Sequence, residues 1–208
     1  NKVTKEIVIT AASDSKKYDG SALTNNGYTY TEGVLAEGDV LTAVVEGTIT
    51  NVGTADNVVT SYKVMRGETD VTANYTFGES VKGTLEITKR SVTLTSATDS
   101  KTYDGTALTN DEVTVSGDGF VAGEGATYDV TGTITDPGTV NNTFTYTLNE
   151  GTLAGNYDIK TEEGTLTILS KALSLKSGDA EKEYDGTAWT NEDVENKKES
   201  GLIEEDGW

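Results

Sequence analysis

The stretch Lys16-Lys17-Tyr18-Asp19-Gly20-Ser21-Ala22-Leu23-Thr24-Asn25 returns as Lys101-Thr102-Tyr103-Asp104-Gly105-Thr106-Ala107-Leu108-Thr109-Asn110. It returns again as Lys182-Glu183-Tyr184-Asp185-Gly186-Thr187-Ala188-Trp189-Thr190-Asn191. The three tyrosines stand 85 and 81 residues apart. A ten-residue phrase recurring at domain length marks tandem modules. A period near 80 residues is too long for helical solenoid repeats and suits a small β domain.

Further phrases recur in the same order. Gly47-Thr48-Ile49-Thr50 reappears as Gly132-Thr133-Ile134-Thr135, each followed by a glycine-bearing turn. Asn74-Tyr75 matches Asn156-Tyr157, and the closing Gly-Thr-Leu-x-Ile stands at Gly83–Ile87 and Gly164–Ile168. The repeats are therefore expected at 6–90 and 91–171. Residues 1–5 read as the tail of a preceding repeat, and 172–208 as an incomplete third module. The links through Lys89-Arg90 and Ser170-Lys171 hold no flexible Gly/Ser tract.

Apolar residues alternate with period two, as in Phe144, Tyr146 and Leu148 against Thr143, Thr145 and Thr147. Val92 and Leu94 do the same in Ser91–Thr95, and Tyr128, Val130, Gly132 and Ile134 share a face opposite four threonines. Threonine-rich outer faces suit antiparallel sheets with one wet side. Only the acidic tail from Asn191 hints at a helix. The fold class is all-β: small Ig-like β-sandwich modules in an elongated array, with β-grasp-like modules as the alternative. The expected core is Val45, Ile49, Leu85 and Ile87, with Val130, Ile134, Phe144, Tyr146, Leu166 and Ile168.

With 34% apolar residues, each module has a thin core. The chain has no cysteine, so no disulfide supports that core. A net charge of −19 opposes binding to nucleic acid and to anionic lipid. No apolar run is long enough for membrane insertion. Histidine and cysteine are both absent, as are Gly-x-Ser-x-Gly and a phosphate loop, so the sequence points away from an enzyme. A paired-carboxylate glycosidase would need a deep cleft that such small modules rarely provide.

Tyr18, Asp19, Gly20, Tyr103, Asp104, Gly105, Tyr184, Asp185 and Gly186 form the recurring motif. Recurrence in every copy favours a framework role, in which Asp caps a turn, Gly supplies positive φ and Tyr packs its ring. A Lys–Asn isopeptide bond would draw on Lys16, Lys101 or Lys182 with Asn74, Asn156, Asn57 or Asn142. Those lysines, however, adjoin polar turns. Calcium would draw on Asp14, Asp19, Asp99, Asp104 and Asp118, which lack EF-hand spacing. No cofactor and no metal site is expected. The non-recurring aromatics Tyr28, Tyr30, Trp189 and Trp208 are the candidates for ligand contact.

The Tyr-Asp-Gly phrase, Gly-Thr-Ile-Thr and the Asn-Tyr…Gly-Thr-Leu-x-Ile closure together resemble the glycine-rich MBG and YDG repeats of bacterial surface proteins. The resemblance covers almost all of residues 6–171. It implies an extracellular, adhesin-like protein at the cell surface or cell wall, whose repeats form a stalk and have neighbouring repeats as partners. It supplies no catalytic or ligand-binding residue. The function expected is a non-catalytic spacer projecting a distal binding domain. The alternative is an adhesive module that itself grips a host glycan or protein.

Overall fold

Alternating apolar and polar residues, punctuated by glycine turns, give a chain built of strands. The computed structural model describes residues 5–174 and, beyond them, 176–177, 181, 183–184, 186–187 and 194–195. Among these residues there is no α-helix, only two single turns of 3-10 helix at Thr72–Asn74 and Ala154–Asn156. The helical hint from Asn191 falls outside the described residues, except that Val194–Glu195 is strand.

The first repeat contains β1 (Ile9–Ala11), β2 (Asp14–Lys17), β3 (Tyr28–Tyr30), β4 (Asp39–Glu46), β5 (Gly53–Arg66), β6 (Thr69–Asp70) and β7 (Gly83–Thr88). β4 and β5 make a long antiparallel ribbon, in register from Asp39↔Arg66 to Glu46↔Val58 with a bulge at Val44/Val45. β7 lies between β5, antiparallel, and β2, parallel. The sheet order is therefore β2-β7-β5-β4, with β6 on the end of β5. β1 and β3 form a separate antiparallel pair. Ile9 of that pair packs with Leu41 and Val64 of the ribbon, together with Ile7, Val34 and Tyr75.

After the single residue Lys89, the second repeat runs β8 (Arg90–Ser96), β9 (Asp99–Thr102), β10 (Val113–Gly117), β11 (Ala126–Val130), β12 (Gly138–Asn141), β13 (Phe144–Leu148), β14 (Tyr157–Glu162) and β15 (Thr165–Leu169). β15 again lies between an antiparallel strand, β12, and a parallel one, β9. β16 (Lys176–Ser177) pairs with β17 (Val194–Glu195). Compact packing does not follow the repeat boundary. Among the described residues, one unit gathers those up to Thr93 with Ser116–Ala126 and Leu148–Lys160, and the other Leu94–Val115, Thr127–Thr147 and those from Thr161 on.

Val45, Leu85, Ile87, Leu166 and Ile168 are buried as expected, while Ile49, Val130, Ile134 and Phe144 are half-buried. Tyr146 corrects the expectation, because its side chain is exposed. β11 and β13 form only a two-stranded ribbon, while the local core of Leu108, Leu166 and Ile168 lies elsewhere. Tyr128, Val130, Phe144 and Leu148 on the same face are half-buried, so Tyr146 alone of its row stands out to solvent. The strand expected through Gly132 also stops at Val130, because the Asn142 side chain lies against Gly132 where a Cβ would stand.

Gly83 and Gly164, like Gly47 and Gly132, are fixed by close approach rather than by turn geometry. A Cβ on Gly83 would collide with the Ala12 carbonyl, and one on Gly164 with the Ser96 and Ala97 carbonyls. Gly164→Ala is expected to cost about 3 kcal/mol. Gly155→Ala, with nothing within 4 Å of its Cβ, should change stability by less than about 0.5 kcal/mol. Leu166→Ala, at a fully buried position, should cost about 2–5 kcal/mol. Chemical denaturation of the three variants checks this order; equal losses for the two glycine variants would contradict it.

Candidate functional site

The recurring phrases, far apart in sequence, meet in space. Leu108 comes from the Tyr-Asp-Gly phrase, Leu166 and Ile168 from Gly-Thr-Leu-x-Ile, and Ile134 from Gly-Thr-Ile-Thr. With Tyr103 they form one apolar cluster. Leu108 and Ile134 exchange backbone hydrogen bonds of 2.8 and 3.3 Å across an isolated bridge, as Leu23 and Ile49 do at 2.8 and 3.2 Å in the first repeat. Tyr18, Leu23, Leu85 and Ile87 are all buried there.

Above each cluster the Asp turn is built identically. Asp19 Oδ1 accepts from the Ser21 backbone N–H at 2.9 Å, the Ser21 hydroxyl at 2.8 Å and Lys16 Nζ at 2.7 Å. Asp104 Oδ1 does the same with the Thr106 N–H, the Thr106 hydroxyl and Lys101 Nζ. Gly20 (φ 81°) and Gly105 (φ 78°) take the left-handed conformation that follows the capping Asp. Hydrogen bonds to Lys16 and Lys101 hold the Asp19 and Asp104 carboxyls well below the usual carboxylate range. Asn57 and Asn142 lie fully buried and tie the phrases together. Asn57 Nδ2 donates to the Ala12 and Asn25 carbonyls at 2.8 and 2.7 Å, and Asn142 Nδ2 to those of Ala97 and Asn110 at 3.0 and 2.9 Å. In the third copy, Tyr184 is exposed and Gly186 has φ 76°; Asp185 lies outside the described residues.

The Tyr18 turn does more than close its own repeat. Its hydroxyl donates to Glu124 Oε1 at 2.6 Å, and Tyr157 donates to Glu124 Oε2 at 2.8 Å. The two rings meet edge-to-face at 5.6 Å, and Phe120 adds a second edge contact to Tyr157 at 5.1 Å. Around them, Lys17 Nζ bonds both Asp118 carboxylate oxygens at 2.8 Å, and Arg90 donates to the carbonyls of Gly119 and Asp118. Asn156 receives the Val52 N–H at 3.0 Å and donates to Asn51 at 3.1 Å. This seam between consecutive repeats lies inside the first compact unit. The hydrogen bond to Glu124, then burial, raises the Tyr18 hydroxyl pKa; burial, then Glu124, pushes that of Tyr157 up to about 12.

Among the described residues, the other candidates are not assembled into a site. Lys16 and Lys101 bond their own turns, while the Asn57 and Asn142 amides bond backbone carbonyls, so the isopeptide partners stand apart. Asp14 accepts from Ser15 and Asn25, and Asp99 from Ser100 and Asn110. Among the described residues no group of three acidic, histidine or cysteine side chains could hold a metal. Tyr28 packs on the core and donates to the Leu41 carbonyl, whereas Tyr30 is exposed beside an open groove shared with Glu32 and Leu35. Trp189 and Trp208 lie outside the described residues.

Sequence reasoning did not find Glu124. The signal was an acid following a glycine at the repeat offset, Gly38-Asp39 and Gly123-Glu124, upstream of each Asn-Tyr pair.

The raised tyrosines predict a pH response. A pKa higher in the folded state than in the unfolded chain contributes stability that is complete below about pH 10 and lost as pH rises through the folded value. Denaturation midpoints should fall between pH 9 and pH 12, and Tyr18→Phe should flatten that fall. An unchanged slope in the variant would show that the seam is not its source. Comparison with family models, with curated proteins and with solved structures finds no match for this chain.

Proposed function

We propose that this chain is a non-catalytic stalk segment of a bacterial surface adhesin. Its small β-sandwich-like repeats would be joined in an elongated array that projects a distal binding domain from the cell. One observation carries the reading. In each repeat the second strand and the closing strand lie side by side and parallel, Asp14–Lys17 with Leu85–Thr88 and Asp99–Thr102 with Leu166–Leu169. In the first repeat this alignment extends through the parallel bridges Ile7↔Phe77 and Thr10↔Val81. Tension along the chain pulls such neighbours in opposite directions, so the ladder bonds are sheared together rather than opened one by one. The one-residue link at Lys89 passes tension from one repeat to the next with little slack. The sandwich assignment is supported by the core packed between β1 and the β4–β5 ribbon. In the first two copies Tyr18, Asp19 and Asp104 are hydrogen-bonded within the fold, which suits a framework.

The absence of cysteine makes the test direct, since attachment points can be introduced one pair at a time. Pulled from its ends, the chain should unfold at a force several-fold higher than when Val40→Cys and Glu68→Cys peel the β4–β5 ribbon. Equal forces would count against a mechanical role. The adhesive reading rests on the groove of Tyr28, Tyr30 and Glu32. Saturable binding to a glycan array or host matrix proteins, lost with Tyr30→Ala, would put that reading in place of the spacer.

A further inference from the structure

A glycine after Asn or Asp has no Cβ to shield its backbone nitrogen, which can then attack the preceding side-chain carbonyl and close a five-membered ring. The described residues offer that step at Asp19-Gly20, Asp104-Gly105, Asp118-Gly119 and Asn26-Gly27. The fold holds the three aspartates shut. Asp19 and Asp104 each accept from a lysine, a hydroxyl and a backbone N–H. Asp118 is held by Lys17 and by the Ser91 N–H and hydroxyl at 3.0 and 2.8 Å. An ionised, fully engaged carboxylate does not expel an oxygen as water. Asn26 is different. Its side chain is exposed, and among the described residues no hydrogen bond engages it. A carboxamide is neutral and open to attack without prior protonation. The residues on either side are tied down. The Asn25 carbonyl accepts from Asn57 Nδ2 at 2.7 Å, and the Gly27 carbonyl from the Ala12 N–H at 2.9 Å. The Gly27 N–H donates to Asn25 Oδ1 at 2.8 Å, an exposed and local bond that can open while the fold stays closed.

We propose that Asn26-Gly27 is a site of spontaneous deamidation, which ages the first repeat and spares the second. The Gly27 nitrogen bonds to Asn26 Cγ, the Cγ–Nδ2 bond breaks, and Nδ2 leaves as ammonia with the proton that Gly27 gives up. Water then opens the cyclic imide. Opening at Cγ leaves aspartate; opening at the main-chain carbonyl leaves isoaspartate, whose backbone runs through the side chain. The net change is water for ammonia and one added negative charge. The second repeat shows which product the fold accepts. Asp111-Glu112 stands there at the repeat offset, with the same ties: Glu112 N–H to Asn110 Oδ1 at 3.1 Å, Ala97 N–H to the Glu112 carbonyl at 3.0 Å, and Asn142 to the Asn110 carbonyl. Aspartate at 26 therefore fits. Isoaspartate does not, because it adds one atom to the backbone between two carbonyls that are both held. One of the ties to Asn57 or Ala12 must break.

The test incubates the full chain, folded, in mildly alkaline buffer and maps it by fragmentation that distinguishes isoaspartate. Ammonia should be released, with a mass gain of about one dalton located at Asn26. Isoaspartate should form there and not at Asp19, Asp104 or Asp118. The isoaspartate form, separated by ion exchange, should have its folded-to-unfolded ratio lowered roughly fivefold or more, as expected for a lost framework hydrogen bond. Asn26→Asp, made directly, should stay within about twofold of the unmodified chain, as for an exposed substitution. An unchanged Asn26 in the folded chain, with deamidation there once the chain is unfolded in urea, would overturn the proposal. It would show that the Gly27 tie protects the site. Isoaspartate at Asp19 or Asp104 as fast as at Asn26 would overturn it as well, and so would an isoaspartate form as stable as Asn26→Asp.

Discussion

The parallel contact between a repeat's second strand and its closing strand is the constraint from which the rest of the structure follows. Parallel neighbours cannot be joined by a tight turn, so the intervening chain must travel out and return. It does so through the β4–β5 ribbon in the first repeat and through β11, β12 and β13 in the second. Close approach at the start of the closing strand requires Gly83 and Gly164. The same carbonyls, of Ala12 and Ala97, accept from Asn57 and Asn142. The recurring phrases are thus the parts that hold this one alignment.

Stability in a chain with little apolar material and no cysteine comes from small clusters and from well-satisfied polar turns. The cluster of Leu108, Leu166 and Ile168 is modest, yet it recruits Tyr103 and Ile134. The seam adds Tyr18, Phe120 and Tyr157, three rings in edge contact where two repeats meet. This explains why compact packing ignores the sequence boundary: segments 116–126 and 148–160 of the second repeat complete the first.

Much of this was legible from residues alone. The all-β class, the position of β8 and β13, and the buried Leu85, Ile87, Leu166 and Ile168 follow from period-two alternation and from the repeated phrases. Tyr146 was misread because alternation identifies a face without saying which of its members is covered; Phe144 and Leu148 beside it are half-buried and Tyr146 is exposed. The strand through Gly132 was misread because Asn142, ten residues away, takes the space above that glycine. Glu124 was missed for a different reason. Its partners Tyr18 and Tyr157 stand 106 and 33 residues away, and no local pattern links them. Only the comparison of one repeat with the next, acid against acid, would have drawn attention to it.

The Lys89 link, one residue long, also bears on how such a gene can change its length. A cut or insertion inside a repeat would separate the closing strand from its parallel partner, or Tyr18 from Glu124. Loss or gain of one whole period keeps both relationships in phase. The architecture therefore favours variation in steps of a complete repeat, so that related genes would be expected to differ by multiples of that period rather than by arbitrary lengths.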